Sequence, residues 1–404
     1  MPVLGVIAEY NPFHNGHLHH LSTSREAAGE SFVIAVMSGQ FVQRGEPAIC
    51  DKYARTAMAL KNGVDIVVEL PACFATASAE HFASAAVKLM DCLGVVTHLS
   101  FGSESGDLKK LMDAASSILH AQTLPEYQEK IKESLEKGLP YFSACERALM
   151  YILRIDRDFI SQPNHILAIE YLKALKRLNS SIIPLTAKRF PESFLPDGRS
   201  FLPASKIRRL ILDKNYPAVA QAMPESAFFS LLKALSANGA ASLDGFSKAF
   251  RYLLLTKPDL DEIMDINEGL ENRLTRCAAE NPLISDALKA ANTKRYPYSR
   301  LQRAALHLVL GMKRRDFEEF KKAGGPQYIR ILGFKKNAAP LLRDIKEKAK
   351  LPIVLNLKNS SDLPEPGRSM LEQDLSSSDI YYLSCKSGKS VMKGQERRKP
   401  IVII

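Results

Sequence analysis

Two histidines three residues apart, His14 and His17, stand in the segment Glu9-Tyr10-Asn11-Pro12-Phe13-His14-Asn15-Gly16-His17, directly after the apolar run Val3–Ala8. A strand that feeds a loop and then opens a helix presents unpaired backbone N–H groups and a positive dipole end, which suits a phosphate. At a helix start, residues three apart can face the same bound group. The two imidazoles can therefore donate to one anion and stabilise charge developing on a pentavalent phosphorus. Gly16 between them leaves room for a phosphate or ribose to approach the backbone. Two other readings use the same residues. One is an ordinary βα turn with surface histidines. The other is a metal site, since His14, His17 and His20 fall at three-residue intervals with His19 adjacent, although no Cys or Asp in this stretch supplies a further ligand.

The elements that must position these side chains follow from alternation. β-branched apolar runs at Val3–Ala8, Phe32–Met37, Asp65–Glu69, Thr97–Phe101 and Ser181–Leu185 predict strands. Helix-length amphipathic stretches lie between them, near His17–Ala28, Tyr53–Asn62, Glu80–Leu93, Leu108–Leu119, Glu126–Lys137, Ser143–Leu153 and His165–Leu178. Strand and helix at this spacing imply right-handed crossovers and an α/β fold, a parallel sheet covered on both faces. Ligands in such sheets bind at the carboxyl ends of the strands, so the loops after Ala8, Met37, Leu70 and Phe101 are where chemistry is sought. Asp51, Lys52 and Arg55 begin a helix at this edge, either as surface ion pairs or with Lys52 on a phosphate. From about Asp213 the strand signals fade, and 216–350 reads as helices broken at Gly239, Pro258, Pro282, Pro297 and Gly324–Pro326. The tail, 351–404, reads as a small appended element with loose ends. The expected division is thus a nucleotide-binding domain over 1–212, a mainly helical domain over 213–350 and a C-terminal appendage over 351–404.

Composition limits the function. The 404 residues are 46% apolar and 25% charged, ordinary for a soluble globular chain of two or three domains. No eighteen-residue apolar run exists to span a membrane. The start of the chain lacks the basic n-region of a secretory signal. Six scattered cysteines without a C-x-x-C pair fit reduced thiols in the cytoplasm. Charge is uneven. Residues 1–150 hold 12 Lys and Arg against 17 Asp and Glu, whereas 151–404 hold 43 against 27. A basic second half suggests an anionic macromolecular partner, nucleic acid first, against the plainer reading of a solvated helical surface. Arg295, Arg300, Arg303, Lys313, Arg314 and Arg315 recur there with Tyr296, Tyr298, Phe317, Phe320, Tyr328 and Phe334. Basic and aromatic side chains together suit RNA, although Phe317 and Phe320 are better read as core.

His14-Asn15-Gly16-His17 after a strand resembles the H-x-G-H motif of the HIGH nucleotidyltransferase superfamily, whose Rossmann-like sheet also underlies class I aminoacyl-tRNA synthetases. In that superfamily the two histidines contact ATP phosphates while the α-phosphorus is attacked. Pro203-Ala204-Ser205-Lys206-Ile207-Arg208 is similar to its second motif, I-S-S-T-x-I-R, which holds the outer phosphates. It departs at Ala204 and Lys206, so Ser205, Ile207 and Arg208 carry over. The segments Ser38–Pro47, Gly63–Asp65, Glu69–Pro71, Ser78–Glu80, Phe101–Glu104, Pro163–Leu167, Lys188–Arg189 and Tyr298–Arg300 with Arg303 look like those of the tRNA(Met) cytidine acetate ligase family. The likeness runs over nearly the whole chain and weakens after about 350.

The resemblance implies ATP contacts from Ile7, Ala8, Glu9, Tyr10, Asn11, Pro12, Phe13, His14, Asn15, Gly16, His17, Leu18, His19 and His20, and from Gly102, Asn164 and Arg189, with His14 and His17 catalytic. It also implies acetate and elongator tRNA(Met) as substrates, with Mg²⁺ riding on the ATP phosphates. Each residue has a plainer reading beside it: Gly102 a β-turn glycine, Asn164 a helix cap, Arg189 a solvated cation. Two other functions compete. A small-molecule adenylyltransferase of the same superfamily leaves the basic second half without a purpose. An RNA-binding protein with a dead nucleotide site has no reason to hold His14, Gly16, His17, Ser205 and Arg208 together. A Walker A sequence and a Gly-rich acetyl-CoA pyrophosphate loop are both lacking.

Overall fold

The short β-branched runs form strands because their side chains alternate between two apolar layers. In the computed structural model, which describes residues 1–404 except 30, 140, 154–156, 190–192, 195–198, 358–361 and 386–391, these strands are β1 (Val3–Ala8), β2 (Phe32–Ser38), β3 (Phe41–Val42), β4 (Glu46–Pro47), β5 (Ile66–Leu70), β6 (His98–Ser103), β7 (Ile183–Lys188), β8 (Ser193–Phe194), β9 (Ser200–Phe201), β10 (Ile329–Phe334), β11 (Ile353–Val354) and β12 (Val402–Ile403). The central five run parallel in the order β5-β2-β1-β6-β7. Ile34, Val36, Ile66 and Val68 point into one buried layer, beneath helices Ala79–Cys92, Leu108–Ala121 and Pro163–Arg177. Val33, Ala35, Met37 and Val67 point into the other, beneath helices Asn15–Ala28, Lys52–Lys61 and Ala204–Leu212. The expected α/β architecture is therefore present, and all carboxyl ends of the parallel strands share one edge. β7 runs on past the expected Leu185 because Thr186, Ala187 and Lys188 pair with Phe101, Gly102 and Ser103 of β6.

The second half departs from its reading as helices alone. β10 joins the main sheet antiparallel to β5, and both β11 and β12 add parallel to β10. Arg330 in the middle of Ile-Arg-Ile-Leu obscured this strand, since a central strand rarely holds a cation. Here it ion-pairs with Glu69 and Glu396 at 3.0 and 2.6 Å. The tail is likewise wedged into the molecule rather than loose. Helix Gly367–Tyr381 buries Met370, Leu371, Leu375 and Tyr381. Its serines are part of the packing: Ser377 and Ser378 are buried, and Ser378 Oγ accepts from Lys52 Nζ at 3.0 Å. Lys52 is thus neither a surface ion pair nor a phosphate ligand. It is wholly buried, 2.7 Å from both Glu69 and Glu396.

Candidate active site

The site begins where β1 and β2 end. A strand terminus buried at a ligand edge leaves carbonyls that need donors, and one side chain supplies them. Arg55, fully buried, donates from Nη1 to the Glu9 and Ser38 carbonyls at 2.7 and 3.1 Å, from Nε to that of Cys50 at 3.2 Å, and from Nη2 to that of Gly39. The loops after both strands are thereby held at fixed spacing. Asn11 adds a second tie, its Oδ1 accepting from Ile49 N at 2.8 Å.

Helix Asn15–Ala28 then opens with a reciprocal cap built from the two histidines. His14 Nδ1 accepts from Gly16 N at 3.1 Å, and His17 Nδ1 accepts from His14 N at 3.2 Å. The rings stack with centroids 3.7 Å apart. Tyr10 and Phe13, both buried, pack against His17 at 5.0 and 5.5 Å. Because each Nδ1 is an acceptor, the proton of each neutral ring sits on Nε2. Burial first, then the nearby Arg189 and Arg208 charges, pull His14 down to about 3. Burial and the neighbouring cationic groups hold His17 well below its ordinary value too. Both imidazoles are therefore neutral at pH 7 and offer an Nε2–H apiece. His20, drawn down to about 4 by burial and Arg189, is tied to Ser100 Oγ at 3.1 Å.

The other expected site residues divide. Arg189 lies over β6, where a Cβ on Gly102 would meet its Cγ and Cδ at 3.0 and 3.1 Å. The missing Cβ makes room for that side chain, where a nucleotide was expected. Asn164 is not a helix cap: Gln162 holds the N-cap position without a side-chain hydrogen bond, Glu104 accepts from Asn164 N at 3.2 Å, and the Asn164 side chain bridges Glu104, at 2.6 Å, to Arg189. Arg208 crosses to the β1 loop, donating to the Asn11 carbonyl at 3.0 Å and pairing with Glu46 at 2.7 Å. Ser205 stands exposed in the first turn of its helix. Gly16 departs from expectation, since a Cβ there would meet the Phe201 ring at 2.4 Å and the space beside it holds an aromatic side chain. Asn15 ties β9 and helix Tyr216–Gln221 to this loop, donating to the Ser200 and Gln221 carbonyls at 2.9 and 3.0 Å. Glu9 accepts from Gln43 N at 2.9 Å, and burial raises its carboxyl. Sequence reasoning missed Arg55, Glu104 and Phe201 as parts of the site. Glu104 had a signal in the quoted Phe101–Glu104 motif, and Arg55 in the charged Asp51–Arg55 helix start, whereas Phe201 had none. Among the described residues no group of three His, Cys, Asp or Glu side chains could hold a metal ion, and no helix is long and apolar enough to cross a membrane.

The basic residues of the second half gather around one segment, 261–268. Arg300 pairs with Glu268 at 3.2 Å, Arg303 with Asp265 at 3.1 Å and Lys313 with Glu262 at 2.8 Å. Arg295 donates to the Glu268 carbonyl at 3.3 Å, and Arg314 to those of Asp261 and Ile266 at 3.0 and 2.6 Å. Arg315 is the freest, its side chain 83% exposed beside Asp316. The expected aromatic interleaving is mostly internal: Tyr296, Phe317, Phe320 and Tyr328 are all buried.

A five-stranded parallel sheet, paired neutral imidazoles at the helix after its first strand, and an arginine helix after its last together define a nucleotidyltransferase of the HIGH class. The HIGH Nucleotidyl Transferase family matches residues 1–396. The chain is 41% identical over 392 residues to the tRNA(Met) cytidine acetate ligase of Thermoanaerobacter sp. (strain X514), with 96% of each covered. It is 39% identical over 419 residues to that of Acetivibrio thermocellus, with all of each covered. The crystal structure of Thermotoga maritima TmcAL bound with alpha-thio ATP superposes with a TM-score of 0.90 at 34% identity, covering 100% of this chain and 99% of that one. The chain belongs to the HIGH nucleotidyltransferase family and, within it, to the tRNA(Met) cytidine acetate ligase family.

Proposed function

We propose that this protein uses ATP to activate acetate as acetyl-adenylate and transfers the acetyl group to the wobble cytidine of elongator tRNA(Met), giving N(4)-acetylcytidine. The observation that carries the reading is the His14–His17 pair, two neutral Nε2–H donors at a helix N-terminus, in a chain that matches relatives of that name along 96% of its length. In the first step an acetate oxygen attacks the α-phosphorus and pyrophosphate leaves. The two Nε2–H groups donate to phosphate oxygens as negative charge builds, and Arg189 and Arg208 neutralise the polyphosphate. Neutral donors on a fixed cap need no proton transfer and little reorganisation. In the second step the exocyclic amine attacks the acetyl carbonyl, its C–N bond forms, the C–O bond to AMP breaks, and the amine loses a proton. That amine is a poor nucleophile because its lone pair is delocalised into the ring, which is why an activated acyl donor is needed.

ATP contacts are assigned to the loop Ile7–His20 with Gly102, Asn164, Arg189, Ser205 and Arg208. Mg²⁺ accompanying ATP would be held by the phosphates and water and would supply positive charge against them. The nearby carboxylates are already engaged, Glu46 by Arg208 and Glu9 by Gln43, so the protein adds no cage. Residues 213–350 supply the RNA-contacting surface, with Lys313 and Arg315 more accessible than the carbonyl-bound Arg314. The test is ATP–pyrophosphate exchange with acetate, phosphopantetheine or nicotinate mononucleotide, followed by mass analysis of nucleosides from treated tRNA. Acetate alone should support exchange, and His17→Ala should lower its rate about 10²–10³-fold with the fold retained. Exchange with a phosphorylated acceptor and none with acetate would make this a small-molecule adenylyltransferase.

A further inference from the structure

Helix Ser247–Thr256 has two faces of opposite character. Ser247, Phe250 and Leu254 point inward and are buried. Lys248, Arg251, Tyr252 and Leu255, at spacings of three, four and seven, form a stripe on the other side. All four are exposed, Tyr252 by 65% and Leu255 by 80%. The helix holds two cations and no acid. Tyr252 and Leu255 thus form a contiguous exposed apolar patch beside two cations, the kind of surface that marks an interaction site.

The helix that carries the stripe is connected to the nucleotide edge through one further helix. Helix Ser247–Thr256 packs on helix Tyr298–Leu310. Gln302 of that second helix reaches Glu46, the partner of Arg208, at 3.5 Å. Of the aromatic residues named from the sequence, Tyr296, Phe317, Phe320 and Tyr328 are buried and Tyr298 and Phe334 half-buried, whereas Tyr252 is exposed and free to stack.

We propose that Lys248, Arg251, Tyr252 and Leu255 form an RNA-docking stripe, on which Tyr252 stacks against an unpaired base of the tRNA while Lys248 and Arg251 contact its backbone phosphates. This rests on the acetate ligase reading above. Sequence-tolerant stacking on an aromatic ring, bracketed by phosphate contacts, is how single-stranded loops are held. Leu255 extends the apolar surface by one turn.

The experiment measures tRNA affinity, its salt dependence, KM and kcat for tRNA acetylation, and acetate-dependent ATP–pyrophosphate exchange. Tyr252→Ala should weaken tRNA binding about 5–100-fold, and Tyr252→Phe should restore it. Lys248→Gln with Arg251→Gln should flatten the log–log salt slope by about 0.7 for each lost single-strand phosphate contact. KM for tRNA should rise, with exchange unchanged in every variant. Unchanged tRNA affinity and KM in an active enzyme would overturn the stripe. So would a changed sedimentation coefficient of the protein alone with tRNA affinity intact, which would make the face a contact between copies of this chain. A wild-type protein that acetylates no tRNA would instead remove the acetate ligase reading itself.

Discussion

The two histidines combine three duties in few atoms. Each Nδ1 caps a backbone N–H, each Nε2–H is left for an anion, and neither ring carries charge at neutral pH. That neutrality has a cost in acid. Folded His14 titrates at about 3 and His20 at about 4, against about 6.5 in an unfolded chain. Above pH 6.5 both states hold neutral rings and no penalty exists. Below it the unfolded chain binds protons that the folded chain refuses, so stability falls as pH drops toward 4, by about 1.4 kcal/mol per pH unit per histidine. Thermal unfolding without nucleotide should show this decline, and His20→Gln should make it shallower. An unchanged slope would mean that His20 titrates freely in the folded protein. The residue types here were legible in sequence, but the tautomers were not, since they depend on where two backbone N–H groups point. Nor could Gly16 reveal that Phe201, remote in sequence, lies against it.

Among elements, helix Lys52–Lys61 shows how a helix of no apparent catalytic interest shapes a catalytic edge. Its Arg55 gathers carbonyls from the ends of β1 and β2, holding both loops open toward the site. Arg55→Met would leave several buried carbonyls without donors, each worth about 1–3 kcal/mol. We expect a loss of at least about 3 kcal/mol in denaturant titration at an unchanged m-value, with nucleotide affinity lost alongside. A small shift in midpoint would show that water replaces the guanidinium. Arg55 was visible in sequence only as one charge in an Asp-Lys-x-x-Arg run. Likewise Arg295, Arg300, Arg303 and Arg314 were legible as cations, but the 261–268 segment that engages them was not.

Across the whole molecule, a buried network joins the two ends of the chain. Lys52, Glu69, Arg330 and Glu396 pair at 2.6–3.0 Å, all nearly inaccessible to water, and Tyr53 Oη donates to Glu396 at 2.8 Å. Burial alone would raise the Glu396 carboxyl, but Lys52 and Arg330 hold it well below its ordinary range. Removing one member of such a set leaves buried charge uncompensated. Glu396→Ala should therefore cost about 3–5 kcal/mol. Asp286→Ala, which breaks the exposed pair with Lys289, should cost under about 1 kcal/mol. Equal midpoints for the two variants would refute the idea that the tail is tied to the sheet through these charges.

Local pattern alone determined the parallel sheet and the strand–loop–helix at His14, while the motif residues at the strand ends were legible through the family resemblance. Alternation with period two and helical spacing are properties of neighbouring residues, and burial of one face follows directly from them. The antiparallel β10, the packed tail and the buried Lys52 were decided only by tertiary structure. A strand with a central arginine, a serine-rich helix and a buried lysine each contradict local preference. They become stable when groups some 300 residues away supply opposite charges and a tight fit, as Glu396 and Ser378 do for Lys52. Long-range pairing of that kind leaves no periodicity in the chain, because the partners are chosen by the folded surface and not by their neighbours in sequence.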